Sequence, residues 1–179
     1  FAQGDYSKAL EYFEEVLKIR LSVYGENHSR VASVYNDIGE IYSVQGDDFK
    51  ALDYFKKSLK IVLSVYGENH SQVSSIYDHI GEIYFAQKDY SKALYYFEES
   101  LKIRLSLFGE NHPEVALSYY SIGSLYIIQG DKSKALNYYE KSLKIRLSVY
   151  GENHPLTKEI MDLINVANSK VLQSPETTK

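Results

Sequence analysis

A histidine recurs every 42 residues along this chain, at His28, His70, His112 and His154. Imidazole is the side chain best suited to proton transfer or metal binding near neutral pH. Four of them in register suggest a metal ladder. A zinc ion, however, needs its ligands at about 2.0–2.3 Å, whereas packed helices stand about 8–10 Å apart. The histidines are therefore expected to sit in loops and cap helices. Glu40 and Glu82 could form a carboxylate pair, but they lie one repeat apart with nothing convergent beside them. Lys18, Lys60, Lys102 and Lys144, with Arg20, Arg104 and Arg146, make a basic ladder. Glu98 and Glu140 precede Lys102 and Lys144 by four residues and neutralise part of it. A solvated helix-end face is the expected reading, with an anionic partner or membrane surface as the alternative. The chain has no phosphate-cradling glycine loop, no nucleophile motif and no His-Glu metal motif. It also has no cysteine, hence no thiolate zinc site. No enzyme activity, metal or cofactor is expected.

Helices must position these residues. Each histidine closes a joint of the form Ile-x-Leu-Ser-(Val/Leu)-(Tyr/Phe)-Gly-Glu-Asn-His, with its glycine at Gly25, Gly67, Gly109 and Gly151. A fixed period of this size is the signature of a helical solenoid. Basic residues favour the negative end of a helix, and glycine then takes the left-handed stop conformation. Asn and His offer cap groups, and Pro113 and Pro155 suit a first helical turn. Apolar residues spaced by three or four predict a helix over 5–24, an A helix over 29–45 and a B helix over 48–65. Gly39 inside a helix costs about 1 kcal/mol against alanine; close approach to Ala51 is the proposed reason, wrapped by Tyr35, Tyr42 and Phe55. The tyrosines at helical spacing, Tyr35, Tyr42, Tyr77, Tyr84, Tyr119 and Tyr126, are read as core. His79 is expected to meet Asp37 of the preceding unit. The solenoid is expected over 1–171: a half repeat over 1–24, full repeats over 25–66, 67–108 and 109–150, and a capping helix over 151–171. Residues 172–179 read as a flexible tail. Phe1 is followed at once by repeat sequence, so the chain is expected to be a piece of a longer array.

Bulk composition narrows the partners. A formal net charge of −4 argues against a nucleic-acid binder. No apolar run approaches the about 20 residues that span a bilayer. Absence of cysteine is compatible with a reducing compartment, so a cytoplasmic location is expected. Tyrosine is abundant, with 18 copies and no tryptophan.

Tyr35-x-x-Ile38-Gly39-x-x-Tyr42 followed by Ala51-x-x-x-Phe55, with its counterparts in the next two units, resembles a tetratricopeptide repeat. The 42-residue spacing and the Gly-x-x-His-Pro joint are similar to the kinesin light chain type of that repeat. The resemblance implies an all-α, right-handed superhelical solenoid of antiparallel helix pairs, with A helices lining a concave groove. The groove positions it implies are Ser33, Asn36, Glu40 and Ser43 in the first unit. In the second they are Ser75, Asp78, Glu82 and Phe85, and in the third Leu117, Tyr120, Ser124 and Ile127. Groove asparagines hold the cargo backbone in kinesin light chains, and Asn36 keeps that residue. The groove has no Lys or Arg for clamping a carboxylate terminus.

The function expected from this is protein–protein interaction, as an adaptor or scaffold. The partner would be a peptide or helical segment with basic and apolar residues. The alternative is a regulatory or scaffolding arm of a larger protein whose catalytic domain is expected outside this sequence, self-associating through the N-terminal half repeat, where Leu10, Phe13 and Leu17 would be exposed. An engineered repeat scaffold without a selected ligand is also compatible with such similar copies.

Overall fold

A computed structural model of the protein describes residues 3–169, with side chains from Tyr6 onwards. The described residues form eight helices: α1 (Gln3–Tyr24), α2 (Ser29–Val44), α3 (Asp48–Tyr66), α4 (Ser71–Ala86), α5 (Tyr90–Phe108), α6 (Pro113–Gln129), α7 (Lys132–Tyr150) and α8 (Pro155–Ser169). The fold class is an all-α helical repeat, with no strand among the described residues. The ends of α1, α2 and α3 agree with the periodicity to within two residues, whereas the capping helix expected from 151 begins at Pro155, after its histidine cap. The backbone divides into two compact units, Phe1–Ile103 and Arg104–Lys179, with the division inside α5. The tail expected at 172–179 lies outside the described residues. No described helix is long and apolar enough to cross a membrane.

Each joint is capped as its chemistry requires. His28 Nδ1 accepts from Arg30 N at 3.1 Å, His70 Nδ1 from Gln72 N at 3.2 Å, and His112 Nδ1 from Glu114 N at 3.2 Å. His154 Nδ1 accepts from Leu156 N at 3.3 Å. Every capping ring also stacks on the aromatic four residues earlier, the tightest pair being Tyr66 and His70 at 4.1 Å between centroids. The joint glycines differ from expectation in one respect. Gly67 has φ 78° and ψ −177°, and Gly151 has φ 79° and ψ 171°. This is the extended positive-φ region that only glycine enters readily, not the left-handed helical one. The Glu-Asn pair then leads to the histidine cap.

The hairpin turn inside each repeat is a Schellman ending. Asp47 N donates to Tyr42 O at 2.9 Å and Gly46 N to Ser43 O at 3.0 Å. Asp47 then caps α3 by accepting from Lys50 N at 3.2 Å. Gly46 and Gly130 fill the left-handed position with φ 77° and 82°, but the second hairpin places Lys88 there at φ 63°. A side chain in that conformation costs roughly 1–2 kcal/mol. Lys88→Gly is therefore expected to stabilise the protein by about 1 kcal/mol after the glycine's extra unfolded-state entropy is subtracted. Urea unfolding checks this, and an unchanged or lower midpoint contradicts it.

The core repeats one contact. A Cβ on Gly39 would lie 2.9 Å from the Phe55 ring, on Gly81 2.7 Å from the Phe97 ring, and on Gly123 2.7 Å from the Tyr139 ring. The expected contact with the B-helix alanine is thus secondary, because the aromatic ring itself lies in the glycine notch. Ala51, Ala93 and Ala135 are fully buried beside it. The tyrosines read as core stand at its rim instead: all but Tyr126 are half-buried. Tyr42 stacks on Tyr54, Tyr84 on Tyr96 and Tyr126 on Tyr138, each at 5.6–5.7 Å. Lys50, Lys92 and Lys134 sit 4.8–5.0 Å over the outer faces.

Candidate functional site

The groove positions all fall on A helices, and each unit carries its own set. In unit 1, α2 presents Ser33, Asn36, Glu40 and Ser43, while α4 presents Ser75, Asp78, Glu82 and Phe85. Glu40, Ser75 and Glu82 are exposed; the other five are half-buried. The spacing of four along α2 brings Asn36 Nδ2 to Glu40 Oε1 at 2.6 Å. Ser33 Oγ accepts from Arg20 Nη1 at 2.8 Å and donates to Arg30 O at 3.0 Å. Phe85 meets the edge of Tyr90 at 6.0 Å.

His79 meets Glu40, not Asp37. Its Nε2 lies 3.3 Å from Glu40 Oε1, and its ring stacks on Phe55 at 5.0 Å. The stack turns the imidazole along α2 by fixing its plane, which moves it past Asp37 to the carboxylate one turn further on. Burial is the largest influence on His79 and opposes its charge. The hydrogen bond and charge of Glu40, with Glu82 and Asp78 behind it, outweigh burial and raise its pKa above 6.5. The His79 hydrogen bond in turn lowers Glu40, against burial. The sign for stability follows from both. The His79 contribution is complete below its unfolded pKa of about 6.5 and is lost as pH rises through the folded value. The Glu40 contribution is present above its unfolded value and is lost as pH falls through the lowered one. Because both groups are partly exposed, the pair is worth at most about 1 kcal/mol. The stability gap between wild type and His79→Gln should therefore be larger at pH 5.5 than at pH 8.5, where only the ring's packing on Phe55 remains. A gap that grows with pH contradicts the pairing.

In unit 2, α6 presents Leu117 and Ile127, both exposed, and Tyr120 and Ser124, both half-buried. Tyr120 Oη donates to Glu159 Oε1 of α8 at 3.0 Å, and the Arg146 guanidinium lies 5.0 Å over its ring. Ser124 Oγ donates to Tyr120 O at 3.0 Å and lies 3.2 Å from Tyr139 Oη. Two of the four positions thus hold the unit together, and the other two, Leu117 and Ile127, are open and apolar.

The arginines correct the reading of a solvated basic ladder. Lys18, Lys60, Lys102 and Lys144 are exposed as expected, but Arg104 and Arg146 are each only 4 % exposed. Arg104 Nη1 donates to Ser118 Oγ at 2.8 Å, and its Nη2 pairs with Glu114 Oε2 at 2.9 Å. Arg146 Nη1 donates to Leu156 O at 2.6 Å and lies 3.6 Å from Glu159 Oε2. The apolar stem of arginine lets it lie along the core while its planar head ties the end of a B helix to the start of the next A helix. The sequence did hold a signal: these arginines recur in register with buried isoleucines, one residue after Ile103 and Ile145.

A family model described as tetratricopeptide repeat matches the chain three times, over residues 1–63, 30–106 and 72–148. No curated protein matches the sequence significantly. Among solved structures, BtubC (BKLC) from P. vanneervenii is similar at TM-score 0.78 and 20 % identity, covering 99 % of this chain and 78 % of that one. A putative kinesin light chain with nearly identical TPR-like repeats from Podosopora anserina is similar at TM-score 0.71 and 16 % identity, covering 96 % and 90 %. The N-terminal domain of stress-induced protein-1 from C. elegans is similar at TM-score 0.59 and 17 % identity, covering 78 % and 96 %. At these identities the structural likeness concerns the fold.

Proposed function

The chain belongs to the tetratricopeptide repeat family, and on that premise we propose that it is a non-catalytic interaction module whose A helices receive an extended or helical segment of a partner protein. The observation that carries the reading is the acidic face of unit 1. Glu40 and Glu82 are exposed on α2 and α4, and Asp78 is half-buried one turn before Glu82. A segment bearing basic residues complements that face. In unit 2, Leu117 and Ile127 suit apolar side chains, with Tyr120 held by Glu159 and Arg146 as a fixed platform. Acids steer encounter and set specificity, while apolar contacts supply affinity.

A peptide-library selection followed by titration calorimetry tests this. Glu40→Lys with Glu82→Lys should weaken a selected peptide at least about tenfold and flatten its salt dependence. Lys60→Glu with Lys102→Glu on the B helices should change it by no more than about twofold. The opposite pattern assigns binding to the B-helix face. Arg104 is unsuitable for the control because it is buried.

Self-association through α1 is a second reading with its own support. Leu10, Phe13 and Leu17 are half-buried rather than exposed as expected, because α2 packs beside them, and Phe13 with Ile41 and Val44 lines a cavity of about 310 Å³ between α1 and α2. The more exposed apolar side chains of α1 are Tyr12, Ile19 and Val23. Sedimentation of wild type and Phe13→Glu checks it, and a strictly monomeric wild type at high concentration removes it.

A further inference from the structure

The four joints differ at one inward-facing position, which holds Arg20, Arg104 and Arg146 in three copies and Val62 in the fourth. Each arginine reaches from the end of its own helix to the start of the next. Arg20 Nη1 donates to Arg30 O at 2.6 Å and to Ser33 Oγ at 2.8 Å. Arg104 holds Glu114 and Ser118, and Arg146 holds Leu156 O. Val62 is buried and too short to cross. What remains among α2, α3 and α4 is a cavity of about 110 Å³, bounded on the α4 side by Gln72, Ser75 and Ile76. These lie ten, thirteen and fourteen residues after Val62. The arginines find their partners at the same offsets: ten for Arg30, Glu114 and Leu156, thirteen for Ser33, fourteen for Ser118.

The walls of this cavity offer hydrogen-bond acceptors. Asn36 Oδ1 and Gln72 Oε1 are buried and receive no hydrogen bond within the protein. A buried acceptor left without a donor is costly. Asp37 adds a half-buried carboxyl on the α2 side. Burial first, and then the charge of Glu40, hold it above the usual carboxylate range, with Arg20 acting the other way. Ser58 supplies no free donor, since its hydroxyl is given to Ala32 O at 2.8 Å. Ser75 is exposed, so the cavity opens on the A-helix face that also carries Glu82. Several acceptors facing one cavity suit a group that carries several donors in one plane, which describes a guanidinium better than an ammonium.

We propose that the cavity beside Val62 is a socket for an arginine side chain of the partner segment, whose guanidinium takes the place that the chain's own arginine fills in the other three joints. The proposal rests on the reading of the A-helix face as a peptide-binding surface and names the residue that anchors there. It also accounts for a valine at a position where arginine is otherwise the rule: filling the socket from within would close it.

The test uses N-acetyl-arginine amide as the probe and follows the side-chain amide resonances of Asn36 and Gln72. Wild type is expected to show saturable shifts at both, with N-acetyl-lysine amide at least about tenfold weaker. Val62→Arg is expected to raise Tm and to abolish the response, because the chain then supplies its own guanidinium. Val62→Met fills the space without charge; it should weaken the probe without raising Tm, and it keeps the test independent of how the arginine variant folds. Three results overturn the socket: no shift at Asn36 and Gln72, an equal response to the lysine probe, or unchanged binding in both variants. A selected peptide that is sensitive to Glu40→Lys with Glu82→Lys but blind to Val62→Arg overturns the socket and leaves the acidic face standing. Probe binding at Asn36 and Gln72 with no peptide bound to that face overturns the partner-arginine proposal and leaves only a guanidinium site.

Discussion

Phe55→Ala is expected to lower the free energy of unfolding by about 3–5 kcal/mol, Gly39→Ala by about 1–3 kcal/mol, and the two together by less than their sum. Phe55 is fully buried, and its ring occupies the notch left by the missing side chain of Gly39. Alanine at position 39 would gain about 1 kcal/mol of helix propensity. Its Cβ would also stand 2.9 Å from a ring that the surrounding core holds in place. The clash outweighs the propensity for that reason. Once the ring is removed the nearest atoms to the added methyl are gone, so the second substitution loses most of its penalty. Urea unfolding of wild type, the single variants and the double variant gives the coupling directly. Additive losses would mean that the ring does not rest on Gly39.

Arg146→Ala is expected to cost about 2–4 kcal/mol, the sum of a lost charge-assisted hydrogen bond and lost stem packing. Its guanidinium serves Leu156 O, Glu159 and the Tyr120 ring at once, so truncation removes its ties from α7 to α8 and leaves the Tyr120 hydrogen bond to Glu159 to join α6 and α8. Lys144→Ala, two residues earlier on the same helix but exposed, should change stability by no more than about 0.5 kcal/mol. Thermal unfolding monitored by circular dichroism separates the two. Equal effects would return Arg146 to the solvated ladder suggested by its charge.

The helices, their caps and the glycine notch were legible because each is written as a local period. His28 and its counterparts stand where a helix must begin, and Gly39 stands where propensity alone would refuse it. The arginines were not legible, because patterning by polarity assigns a charge to solvent while a long apolar stem allows it inside. The partner of His79 was missed for a related reason. Its ring is oriented by stacking on Phe55, a residue 24 positions earlier, and no local spacing reports that. Val62 stands where the other joints carry arginine, but only packing turns that difference into a cavity. The A-helix positions were reached through the family resemblance. Their division into open groups such as Glu82, Leu117 and Ile127, and committed ones such as Glu40, Tyr120 and Ser124, needed coordinates.

The most direct measurement of the central claim, that the A-helix face receives the partner, is backbone amide shift mapping with a peptide selected from a library. The account predicts that the largest changes in unit 1 fall on α2 and α4, around Asn36, Glu40, Asp78 and Glu82, and that they disappear in Glu40→Lys with Glu82→Lys. Changes confined to α3 and α5, centred on Lys60 and Lys102, would contradict it.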